Sequence, residues 1–155
     1  MELANLLRAS VAALDAAGVT DEALAEIKPA RKLGPLTVPM KFVAVGRAWR
    51  LGEILLDRDA RLYSTGSVTR AITPKDFAAN KSPAEETRRE LQRAAVRSRF
   101  RQGDTVNFGF TPLAVGDGPL HLREDELVLT LAHADVPLET YLADRIRFAI
   151  TPGWD

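Results

Sequence analysis

The chain has 155 residues, 46% of them hydrophobic and 27% charged, a length and composition that suit one globular domain with its own core. It contains no cysteine, which excludes disulfides, thiolate metal sites and a cysteine nucleophile. Its 21 basic and 21 acidic side chains cancel, so the chain as a whole has no net attraction for nucleic acid or for an anionic membrane.

The balance is uneven along the chain. Residues 81–101 hold seven basic side chains against Glu85, Glu86 and Glu90, a net of +4. The remainder therefore carries −4, much of it between Asp117 and Asp144. No window approaches the ~18 apolar residues that a membrane-spanning helix needs. The start, Met1-Glu2-Leu3-Ala4-Asn5, lacks the basic segment and apolar stretch of a secretory signal. Cytoplasm is the expected compartment.

Leu3, Leu7, Val11 and Leu14 recur at helical spacing and predict a first helix over residues 2–17. Gly18 follows, where a helix ends in the left-handed region. Thr20 suits the N-cap of a short second helix over 21–28, closed by Pro29. Residues 29–39 are basic, hold three prolines and one glycine, and read as a connector. Extended runs follow at 42–47, 49–56 and 62–72, the last broken by Gly66, and predict an antiparallel meander. Gly46 and Gly52 are candidates for bulges or for close backbone approach.

Residues 74–81 read as a loop. Ser82, Pro83 and Glu85 stand at N-cap, N1 and N3 of a helix predicted over 83–102, with Gly103 after it. Val106, Phe108 and Phe110 alternate and predict a strand over 104–110, ended by Pro112 before a loop over 111–119. Residues 120–122 and 127–131 flank an acidic turn at 123–126, which predicts a hairpin. Pro137 opens a last helix to residue 148, with Leu138, Tyr141, Leu142 and Ile146 on one side. Strands grouped together between helices predict a single α+β domain over 1–155. The expected form is an antiparallel sheet of about five strands with helices packed on one face. Two helices are N-terminal, one is central and one is C-terminal.

Arg89, Arg93, Arg97 and Arg101 follow one another at four-residue spacing, while Leu91, Ala94, Ala95 and Ser98 lie on the other side of the same helix. A guanidinium stripe suits phosphate. Glu86 and Glu90 share the stripe, however, and only Phe100 is nearby as a stacking ring, which favours a solvated, internally paired face. The first two helices would form a helix–turn–helix pair, but Asp21, Glu22 and Glu26 in the second would repel phosphate. No nucleic acid is expected as a partner, and no membrane.

In the meander, Arg47, Arg50 and Arg70 could hold a small anionic ligand with Trp49 or Tyr63 as an apolar wall. The plainer alternative places the arginines on a solvated face and Trp49 in the core. His121 and His133 are the only histidines, and Asp135 could orient His133. Neither has metal-ligand spacing to a carboxylate, and no phosphate-binding, nucleophile-elbow or zinc-protease motif is present. The expectation is a non-catalytic binding or protein-interaction domain, without metal or cofactor, that forms a homodimer. The alternative is an enzyme or sensor with a pocket for a small anionic ligand between sheet and helices.

Overall fold

The apolar face predicted for the first helix is the one the fold buries. In a computed structural model describing residues 2–75 and 82–152, α1 spans Leu3–Ala16 and inserts Leu6, Leu7 and Leu14 into a core. Gly18, at φ 65°, closes it: its N–H donates to the Asp15 carbonyl and that of Val19 to the Leu14 carbonyl. These two hydrogen bonds satisfy carbonyls that the helix end would otherwise leave open.

The predicted second helix is absent. Its residues form β1 (Glu22–Lys28), which pairs in parallel with β8 (Thr105–Phe108), Ala23 opposite Val106 and Leu24 opposite Asn107. Eight residues of good helix formers are too few to repay helix nucleation, and ladder bonds to β8 with burial of Ala23, Leu24 and Ala25 outweigh local propensity. The predicted connector instead holds a hairpin, β2 (Arg31–Leu33) and β3 (Leu36–Val38). Gly34, at φ 60°, and Pro35 form its two-residue turn.

Residues predicted as two strands before Asp57 form β4 (Lys41–Leu51) and β5 (Ile54–Asp57), with the break at Gly52-Glu53 rather than at Ala48. Gly52 has φ 68°, and a Cβ there would overlap the Tyr141 hydroxyl. The third predicted strand divides at Gly66 into β6 (Leu62–Ser64) and β7 (Ser67–Arg70). A Cβ at Gly66 would collide with the Gly109 backbone.

The central helix α2 (Pro83–Arg97) starts as expected, with the Ser82 hydroxyl accepting from the Glu85 N–H and proline in the first turn. It stops five residues short of the predicted end. Ser98 Oγ donates to the Ala94 carbonyl and accepts from the Phe42 N–H, tying the helix end to β4. Most of the predicted 74–81 loop, residues 76–81, lies outside the described residues. The segment expected as a loop after residue 110 opens with β9 (Thr111–Pro112), which pairs with β6. The predicted hairpin is present as β10 (Leu120–Arg123) and β11 (Glu126–Thr130), joined through Glu124 and Asp125, both at positive φ. β12 (Asp135–Pro137) adds a third strand and leads into α3 (Leu138–Ile150).

Among the described residues the fold is α+β, with three helices rather than four. Its main sheet has seven strands in the order β7-β8-β1-β4-β5-β6-β9 rather than about five. It is mixed rather than antiparallel, because β1 and β8 run in parallel. The chain divides into two compact units. The first holds residues 1–21, 48–65 and 111–155, around Leu7, Leu14, Trp49, Leu51, Ile54, Leu56, Leu120, Leu129, Leu138 and Leu142. The second holds residues 22–47 and 66–110, where α2 packs on the sheet through Ala23, Ala25, Ala71, Ala94, Ala95, Phe42 and Val106. A buried leucine stabilises by ~1.5–3 kcal/mol and a methyl group by ~0.8 kcal/mol, so each alanine of the second core contributes less than each leucine of the first.

Candidate functional site

The residues proposed from sequence for an anion site are engaged differently. Arg47 donates from both Nη1 and Nη2 to the Asp104 carboxylate, each at 2.9 Å. These two hydrogen bonds hold the Asp104 carboxyl below its ordinary value, against the opposing effect of its burial. Arg70 is exposed and reaches the Gly103 carbonyl at 3.4 Å. Both belong to the second unit, whereas Trp49 and Arg50 belong to the first. Trp49 is 1% exposed. Its Nε1 donates to the Val19 carbonyl at 2.9 Å, and the Arg58 guanidinium stacks on its ring at 4.4 Å. It is a core anchor.

The arginine stripe of α2 is also partly structural. Arg89 is buried and pairs with Glu86 at 2.9 Å. Arg93 and Arg97 both reach Glu90, and Arg97 donates to the Met40 carbonyl as well. Arg101 lies beyond the helix end. Ala94 and Ala95 face the core as the spacing implies. His133 is exposed, and its expected partner Asp135 accepts instead from Arg123 at 2.7 Å. The Arg123 bond, followed by one from Thr130, lowers the Asp135 pKa. Among the described residues no three histidine or carboxylate side chains converge as a metal site needs, and no helix is long and apolar enough to cross a membrane.

A groove of about 820 Å³ in the first unit lies between the start of α1, the β10–β11 hairpin and α3. Its apolar floor comes from Leu3, Leu6, Leu122, Leu127 and Ala143. Its rim carries Glu2, Asp125, Glu126, Glu139 and Asp144 and no basic side chain. Asp144 pairs with Arg147 at 3.5 Å. The other four carboxylates have no ion-pair partner among the described residues. Asp125 comes from the left-handed turn of the hairpin, Glu126 from the start of β11, and Glu139 and Asp144 from α3. Neither histidine lines the groove. Sequence reasoning singled out this acidic turn only as a turn, because α1, the hairpin and α3 meet only in the fold.

The charge asymmetry runs deeper than the +4 segment. The first unit holds seven basic and fourteen acidic residues, and the second holds fourteen basic and seven acidic. A neutral chain is thus built of one unit at −7 and one at +7. No family model, no curated protein and no solved structure matches the chain.

Proposed function

We propose that the protein is a non-catalytic binding protein whose acid-rimmed groove docks an apolar, basic segment of a protein partner. The observation that carries this reading is the pairing of a leucine floor with a rim of five carboxylates and no base. Apolar floors in concave sites supply the affinity, and complementary rim charge supplies orientation and speeds encounter. The groove's polar side chains are all acidic apart from Thr140, so an anionic ligand would be repelled there. The rival, a small anion held by Arg47, Arg50 and Arg70, would have to displace Asp104 from Arg47.

The test is a fluorescence-anisotropy titration with two labelled peptides of about a dozen residues, one alternating leucine with lysine and the other leucine with glutamate. The cationic peptide should bind, and more weakly at ~1 M than at ~0.1 M salt, where the screening length falls from ~10 to ~3 Å. The variant Asp125→Asn/Glu126→Gln/Glu139→Gln should lose most of that affinity. Equal binding of both peptides, or no binding of the cationic one, refutes the reading. A rise in melting temperature with inorganic phosphate, abolished by Arg70→Ala, would favour the anion site instead.

A further inference from the structure

We infer that the segment filling this groove is the β2–β3 hairpin of a second copy of the chain, in a two-fold dimer. The inference rests on the groove reading above and adds the occupant. Leu33 and Leu36 face each other across the hairpin and are 54% and 70% exposed. In an antiparallel ladder, directly opposed pairs share a face with the pairs two residues away. Arg31 and Val38 therefore stand beside these leucines, while Lys32 projects from the other face. No acidic residue occurs between Glu26 and Glu53, a stretch holding Lys28, Arg31, Lys32, Lys41, Arg47 and Arg50.

The hairpin thus offers what the groove lacks: an apolar face bordered by positive charge. The groove floor is correspondingly open, with Leu122 59% exposed. Leu33 and Leu36 of the hairpin and Leu122 of the groove are all exposed, so each surface carries apolar area that a partner could cover. Each copy carries one hairpin and one groove, so a two-fold arrangement forms the same hairpin–groove contact twice and leaves neither surface to propagate. The hairpin's two-residue turn with Gly34 and Pro35 also limits the conformational entropy lost on docking.

Sedimentation equilibrium from ~1 to ~200 μM is the test. Wild type should be a dimer whose dissociation constant weakens as salt rises. Leu36→Asp on the hairpin and Leu122→Lys in the groove replace exposed side chains and should keep the native circular dichroism spectrum. Each should weaken the dimer ~10-fold or more, since each strips an anchoring leucine from both contacts. Mixed in equal amounts, the two variants should form a heterodimer through the one hairpin–groove contact left intact. The lysine–leucine peptide should compete with wild-type dimerisation. A monomer throughout the range, with the peptide still bound, overturns the dimer and leaves the groove reading standing. Absence of both overturns both. Dimers indifferent to both substitutions, or open-ended polymers, overturn the hairpin–groove pairing.

Discussion

The Arg47–Asp104 pair is the point where structural and ligand-binding roles for the meander arginines separate. Both guanidinium nitrogens of Arg47 bond the carboxylate at 2.9 Å, and the two side chains are 31% and 8% exposed. The pair lies between fully exposed pairs, worth ~0.2–1 kcal/mol, and buried ones, whose breakage costs ~3–5 kcal/mol. A coupling of about 1–2 kcal/mol is therefore expected from a double-mutant cycle of Arg47→Met and Asp104→Asn by urea unfolding at pH 7. Its pH dependence has a fixed sign. The Asp104 carboxyl is depressed in the folded state, so its contribution is present above the unfolded value of ~3.9 and is lost as pH falls through the lower folded value. Coupling should be constant from pH 7 to about pH 5 and fade below about pH 4. A coupling under ~0.5 kcal/mol at pH 7, or one that survives full protonation of Asp104, would refute the assignment of Arg47 to a structural pair.

Two further outcomes test how the first unit is held together. Tyr141 in α3 accepts from the Glu53 N–H at 2.9 Å and donates to the Leu51 carbonyl at 2.8 Å, so it pins the β4–β5 turn. Tyr141→Phe should cost about 1–3 kcal/mol in urea unfolding, because it strands a buried backbone group. Glu124 sits at φ 51° in the β10–β11 turn without glycine's freedom and does not line the groove. Glu124→Gly should raise stability by about 0.5–1 kcal/mol and leave peptide binding unchanged.

What the sequence determined by itself is local. The spacing of Leu3, Leu7, Val11 and Leu14, the Gly18 stop, the Ser82-Pro83 start, the acidic hairpin turn and the helix after Pro137 were all legible, because each depends on residues a few positions apart. The chain's neutrality and its basic central helix were legible too. Tertiary structure alone decided the rest. It turned Glu22–Lys28 from a short helix into a strand, since the partner β8 lies some eighty residues away and its ladder outweighs eight residues of propensity. It buried Arg89 and spent Arg47 on Asp104, which no periodicity announces. It also sorted an even charge count into a unit at −7 and a unit at +7, each assembled from segments distant in the chain. The acid-rimmed groove belongs to the same class: its carboxylates come from three separate elements, and only packing brings like charges together over an apolar floor.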